Sequence, residues 1–272
     1  MKEVILDIPH GGTTIPDEVK PHMHERFTVA DLKTEYDIFS DELYLSQPGI
    51  PQSNKAFFDY HRTIIDVNRA LDDFSRDGVV KTHTTTLRQI YKQYSGLPRQ
   101  LALYLIEKYA APYQENLRRI ASEPIVKLVF SGHTMAPVGL LGSVDTGKKR
   151  PLFSISNGGD KDGNPEEEYQ TPRDIMELIR DTILSKLPEL DLTGATYNGK
   201  IVSFNSPFQG RQAIERLGRK TLTDKKAVQF EVNKSLLCKT ADDNVKIPRP
   251  DNIAAIRKML GDIFEEILSR IS

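Results

Sequence analysis

A single cysteine, Cys238, stands in 272 residues. One thiol can form neither an internal disulfide framework nor a thiolate zinc cage, and it suits a reducing compartment. Long apolar runs are also missing. Hydrophobic residues make up 38% and charged residues 28%, and nothing approaches the ~20 consecutive apolar residues of a bilayer crossing, so a membrane span is excluded. Met1-Lys2-Glu3 passes at once into Val4-Ile5-Leu6 and then Asp7. That opening lacks the long apolar stretch and cleavage site of an export signal, and a cytoplasmic protein is expected. Neither charge sign dominates: 37 Lys and Arg face 38 Asp and Glu, for a formal charge of −1. With no block of like charges, nucleic acid is not expected as a partner. G-x-G-x-x-G, the P-loop lysine and the G-x-S-x-G elbow are absent as well, Gly139-Leu140-Leu141-Gly142 being the nearest approach to a glycine-rich loop. Nucleotide enzymes and serine hydrolases of those types are set aside.

What the chain does have is a succession of short runs rich in Val, Ile and Phe. Val4 to Ile8, Thr63 to Val67, Ile125 to Phe130, Lys200 to Phe204 and Ala227 to Val232 read as strands. Helical periods lie between them. Over Thr171 to Leu187, Thr171 is placed to cap, Pro172 falls at the first helical position, and apolar residues recur at 175, 178, 179 and 183. Asn252 to Ile271 carries one apolar stripe after Pro248-Arg249-Pro250, and Leu97 to Ile120 is a third helical stretch, broken near Pro112. Strands alternating with helices predict a single α/β domain, with a mixed, mostly parallel central sheet flanked by helices. The Gly- and Glu-rich stretch from Ser156 to Gln170 reads as an exposed loop inside that domain, because composition does not change across it.

In open α/β sheets, ligands bind where strands end. The first strand runs into Pro9-His10-Gly11-Gly12, and another run, Leu128-Val129-Phe130, leads to Ser131-Gly132-His133-Thr134. Two histidines at one sheet edge can share a metal ion, with a carboxylate as the expected third ligand. His22 and His24 read as loop residues, and His61 and His83 have no supporting context. Asn68 and Arg69 follow the apolar run Ile64-Ile65-Asp66-Val67. They suit a bidentate clamp on a carboxylate, while a structural Asp66–Arg69 ion pair is an equal alternative. In Val228-Gln229-Phe230-Glu231-Val232-Asn233, Gln229 and Glu231 share one face. An acid within a buried strand needs a partner or a function, and beside an activated water Glu231 would serve as general base and then proton donor.

Pro9-His10-Gly11-Gly12, Glu35-Tyr36-Asp37 running into Asp41-Glu42-Leu43-Tyr44, Asp66-Val67-Asn68-Arg69, Gly132-His133-Thr134-Met135, Asn205-Ser206-Pro207-Phe208-Gln209-Gly210 and Gln229-Phe230-Glu231-Val232-Asn233 stand in this order. Together they resemble the motifs of the N-formylglutamate amidohydrolase family, from about residue 4 to residue 237. The resemblance implies a phosphorylase/hydrolase-like fold similar to the zinc carboxypeptidases, with one divalent ion, Zn2+ first, at the sheet edge. Manganese, iron, cobalt and nickel accept the same donors. It implies hydrolysis of the amide of a small acidic N-acyl amino acid, N-formyl-L-glutamate yielding formate and L-glutamate. By resemblance His10 and His133 are metal ligands, Asp37 or Glu35 is the acidic ligand, with Asp37 favoured, Asn68 and Arg69 bind a substrate carboxylate, and Glu231 handles protons. In the carboxypeptidases the acidic ligand lies three residues after the first histidine, where this chain has Thr13. Thr134, Ser131, Gly132 and Leu152 depart from residues common in the family. A dianionic substrate asks for a second cationic anchor, for which Arg62, Arg99, Arg211 and Arg216 are the candidates. The alternatives are a related zinc peptidase or deacylase acting on another acyl amino acid or a cell-wall peptide, and a binder of an acidic metabolite without catalysis.

Overall fold

The computed structural model describes residues 1–27, 32, 35–217, 225–240 and 246–271. Strands β1 (Val4–Ile8), β2 (Lys55–Phe57), β3 (Leu128–Met135), β4 (Phe153–Ser156), β5 (Val202–Phe204) and β6 (Lys226–Asn233) form one sheet in the order β2-β1-β3-β6-β4-β5. From β2 to β6 the neighbours run parallel; β4 is antiparallel to β6, and β5 is parallel to β4. The mixed, mostly parallel sheet predicted from the sequence is therefore present. A separate ribbon pairs β7 (Cys238–Thr240) with β8 (Lys246–Pro248). The helices are α1 (Arg99–Leu105), α2 (Ala111–Ala121), α3 (Arg173–Lys186), α4 (Arg211–Glu215), α5 (Lys234–Leu237) and α6 (Pro250–Ile271). No helix among the described residues is long and apolar enough to cross a membrane.

Strand alternation splits the core in two. Val4, Leu6 and Ile8, Leu128 and Phe130, and Val228, Phe230 and Val232 meet Ile175, Ile179 and Ile183 of α3 and Ile256, Leu260, Ile263 and Ile267 of α6. Each such aliphatic side chain stabilises the fold by roughly 1.5–3 kcal/mol on burial. The intervening Ile5, Val129 and Ala227 face the opposite layer, under Leu105, Tyr113 and Leu117. On that second face the alternation continues with Asp7, Ser131, His133, Gln229 and Glu231, all buried. One sheet face thus changes from apolar to polar along its strands, and the polar end is where the candidate site lies.

Several expectations require correction. Thr63–Val67 is a buried turn, and the edge strand beside β1 is Lys55–Phe57 instead. The N–H groups of Ile64 and Ile65 both reach the His61 carbonyl, and that of Asp66 reaches Val79, so the run has no ladder to join. A short apolar run buries equally well as turn or strand, which periodicity cannot separate. β3 begins at Leu128, with Ile125 half exposed before it, and continues through His133 to Met135, so this histidine lies within a strand and not after it. Thr171 does not cap α3: Pro172 occupies the cap position, and the Thr171 hydroxyl donates to the Ala227 carbonyl and accepts from the Ala227 N–H. The helix from residue 99 to 121 is interrupted by a π-helical segment, Ile106–Ala110. It precedes Pro112, which has no N–H for the carbonyl four residues back. The stretch from Ser156 to Gln170 is a folded loop, in which the Asn157 amide donates to the carbonyls of Gly163 and Thr171.

Candidate active site

Parallel register brings the polar positions together. Asp7 pairs with Ser131, Ser131 with Gln229, and His133 with Glu231. His10 stands just past β1, where the next two residues are glycines. A Cβ on Gly12 would lie 2.2 Å from the Phe58 carbonyl oxygen, so only glycine lets this turn press against the chain beyond β2. The Asp37 N–H donates to the His10 carbonyl at 3.0 Å, which pins the Glu35–Ser40 segment beside the histidine. Behind His133, the Tyr44 ring fills the space that a side chain at residue 132 would take, and its hydroxyl donates to the His133 carbonyl at 3.0 Å.

His10, Asp37 and His133 converge so that one donor atom from each lies within 4.8 Å of the others, and all three are buried. Among the described residues this is the one such group. His10 Nε2 lies 2.8 Å from Asp66 Oδ1, and Asp37 Oδ2 lies 2.9 Å from His133 Nδ1 and 3.5 Å from His10 Nδ1. Burial pushes the Asp66 carboxyl up, but His10, Lys81 and Arg62 outweigh it and hold the group well below the usual carboxylate range. An ionised Asp66 accepts a hydrogen bond from His10 Nε2–H, leaving the Nδ1 lone pair toward Asp37. That Nδ1 is buried and has no hydrogen-bond partner. Burial, with Arg62, also keeps His10 below the ordinary histidine value, in the neutral form that a metal ion requires.

His133 is held from the far side. The Ser131 hydroxyl donates to Asp7 Oδ2 at 2.5 Å and lies 3.2 Å from His133 Nε2. A hydroxyl that gives its proton to Asp7 can only accept from His133 Nε2, so in the neutral ring the lone pair is on Nδ1. Burial pushes the His133 pKa down, but the charges of Glu231 and Asp37 outweigh it and push it up, and a cation that binds there displaces the Nδ1 proton. Asp7 is in turn held by Arg216 and by the Tyr113 hydroxyl at 2.7 Å. Two imidazole lone pairs and a carboxylate oxygen facing one point form a donor set that suits Zn2+ or a similar divalent cation.

Glu231 lines the same cavity, accepting from the Gln229 amide at 2.9 Å. Burial, aided by the Asp37 charge and opposed by His133 and Arg150, pushes its carboxyl up to about 7. Glu35 also lines the cavity, but its Oε2 accepts from the Thr85 N–H and hydroxyl at 3.0 and 2.7 Å. Between the two acids left open by the sequence, Asp37 is the one that reaches the histidines. The cavity measures about 770 Å³, a volume suited to a small metabolite. The Ser206-Pro207-Phe208-Gln209 segment walls another part of it.

The sequence profile of the N-formylglutamate amidohydrolase family matches residues 2–238. The chain belongs to that family. Its fold is similar to the crystal structure of N-formylglutamate amidohydrolase from Ralstonia eutropha JMP134, at a TM-score of 0.71 and 17% identity over 99% of this chain and 94% of that one. None of the curated proteins compared matches the chain.

The remaining candidates fall on both sides of the cavity wall. Asn68 lines it with its Oδ1 buried and unpartnered. Arg69 lines it too, but its guanidinium binds Asp77, with Nη2 2.8 Å from Oδ2 and Nε 2.8 Å from the carbonyl. The alternative Asp66–Arg69 ion pair is not formed: Asp66 pairs with Arg62 at 3.1 Å and Lys81 at 3.0 Å. Of the four other arginines considered, Arg62 and Arg211 line the cavity; Arg99 stacks on Phe74, and Arg216 is committed to Asp7 behind Ser131. His24 accepts from the Arg26 N–H, His61 is a buried structural residue between Leu32 and Thr63, and His83 lies against Tyr94. Sequence reasoning missed Arg150, buried in the wall and bound through two nitrogens to Asp145, and Lys234, which follows the last motif directly. Nothing in spacing or composition distinguishes either of them.

Proposed function

We propose that this chain hydrolyses the amide of a small N-acyl amino acid, N-formyl-L-glutamate first, consuming water and releasing formate and L-glutamate. The observation that carries the reading is the placement of Glu231 opposite His133, in the same cavity as the His10, Asp37 and His133 trio. These three side chains would hold one divalent ion, Zn2+ first. When bound, the ion supplies Lewis acidity toward the amide carbonyl and lets a water ionise near neutral pH.

Glu231 takes the proton of the attacking water and returns it to the leaving nitrogen as the C–N bond breaks. A carboxyl pushed up to about 7 by burial is matched to both duties, since it accepts and donates near neutral pH. The Gln229 amide holds Glu231 Oε1 in place, leaving the second oxygen to act. Asp66 and Ser131 fix the tautomers of His10 and His133, so the donor atoms are oriented before substrate arrives. Asn68, donating its amide N–H groups, and Arg69, with the guanidinium hydrogens that Asp77 and the Asn68 carbonyl leave over, grip a substrate carboxylate at the wall.

Glu231→Gln, close to isosteric, tests the reading. Turnover should fall by about 10²–10⁴, the usual contribution of a positioned general base, with metal content by elemental analysis unchanged. Near-normal turnover with metal retained would remove Glu231 from the mechanism.

A further inference from the structure

Arg69, whose pairing with Asp77 at 2.8 Å leaves some of its N–H groups over, is assigned above to the first substrate carboxylate. The other guanidinium groups in the cavity wall are committed to protein carboxylates: Arg62 pairs with Asp66 at 3.1 Å, Arg150 with Asp145 at 2.7 and 2.9 Å, and Arg211 with Glu166. The four arginines weighed as a second anchor are therefore either engaged or, for Arg99 and Arg216, outside the wall. Lys148 and Lys161 line the cavity from exposed loop positions, where water solvates their charges.

Lys234 is different. It opens α5, three residues after Glu231, and it lines the cavity while half-buried. Its ammonium donates to the Tyr36 carbonyl at 2.7 Å and forms no ion pair with any carboxylate of the described residues. An ammonium has three donors, and two of these remain unfilled. A cation withdrawn from water without a counter-charge is costly to the fold. Burial accordingly pushes it below the ordinary lysine value, with the charges of Asp37, Glu231 and Glu35 only partly offsetting the effect. A ligand anion would supply the missing partner.

We propose that Lys234 is the second cationic anchor, binding the side-chain carboxylate of the substrate amino acid and setting the preference for acidic acyl amino acids. This rests on the amidohydrolase reading above, with Asn68 and Arg69 on the other carboxylate. A compact, three-donor ammonium can hold a single carboxylate without the planar fork that an arginine requires.

The test compares N-formylglutamate with N-formylglutamine, whose side chain ends in a neutral amide, in the wild type, Lys234→Met and Lys234→Arg. Folding is checked by circular dichroism, and Lys234→Gln replaces the Met variant should that one not fold. The expected result is a rise of about tenfold or more in KM for N-formylglutamate in Lys234→Met. The KM for N-formylglutamine should stay within about twofold and kcat within about threefold, and Lys234→Arg should restore part of the preference. An equal loss on both substrates, or a fall in kcat at unchanged KM, would overturn the proposal. If the wild type cleaves neither compound, the amidohydrolase reading fails, and calorimetric titration with glutarate decides Lys234 separately. Binding weakened about tenfold in Lys234→Met and regained in Lys234→Arg supports the anchor; equal affinity overturns it.

Discussion

Asp66 Oδ1 and His10 Nε2 stand 2.8 Å apart in a fully buried contact, and this pair determines which nitrogen of His10 faces the cavity. The carboxylate does so because it is itself held ionised by Lys81 and Arg62, at 3.0 and 3.1 Å. It also accepts from the Asn68 N–H at 3.0 Å, so one side chain braces both the histidine and the loop that carries the proposed carboxylate grip.

Asp66→Asn keeps the shape and removes the charge. Loss of a carboxylate behind a ligating histidine lowers metal affinity by roughly 10–100-fold. Competition against a chelator of known affinity should show a loss in that range. Unchanged affinity would mean that His10 is oriented without Asp66, or that it is not a ligand.

The Glu231 carboxyl, pushed up to about 7 by burial and by Asp37, must be ionised to accept a proton. As pH falls through that value, the base is protonated and kcat/KM falls about tenfold per pH unit. A cation on Asp37 relieves part of that repulsion, so the acid limb should lie at or below 7. A kcat/KM profile between about pH 5 and 9 checks this; a profile flat down to pH 5 would contradict general-base catalysis by Glu231.

His61 supplies a stability prediction independent of the chemistry. Its Nδ1 accepts from the Thr63 N–H and its Nε2 bonds to the Leu32 carbonyl, and burial pushes its pKa down to about 4. Between 6.5 and 4 the unfolded chain binds a proton that the folded chain does not. Stability is therefore fully present above about 6.5, is lost as pH falls toward 4, and levels off below it. The loss from this residue is about 3 kcal/mol. Denaturant midpoints at pH 7 and 4.5 should differ less for His61→Gln than for the wild type; an equal pH effect in both would remove His61 as the source.

Much of this site was legible in the sequence because its chemistry follows strand parity. His10 follows a strand and precedes two glycines, and Glu231 alternates with Phe230 and Val232, so their positions at one sheet edge follow from period two alone. Asp37 is another matter. It lies in an irregular segment, and only the family resemblance pointed to it. Thr63–Val67 misled because buried turns and strands use the same aliphatic residues, and the pairing that separates them is not local. The Asp7, Ser131 and Arg216 chain was hidden for the same reason: its members are up to 209 residues apart, joined by strand register and a returning helix. Lys234 and Arg150 look like ordinary surface cations until the cavity forms around them.

Formate release from N-formyl-L-glutamate, followed in one preparation before chelation, after chelation and after restoring Zn2+, tests the central claim most directly. Release that is abolished by the chelator and recovered with the ion, at about one ion per chain, is the predicted result. Formate release unaffected by complete metal removal would contradict the assignment of His10, Asp37 and His133 as the catalytic metal ligands.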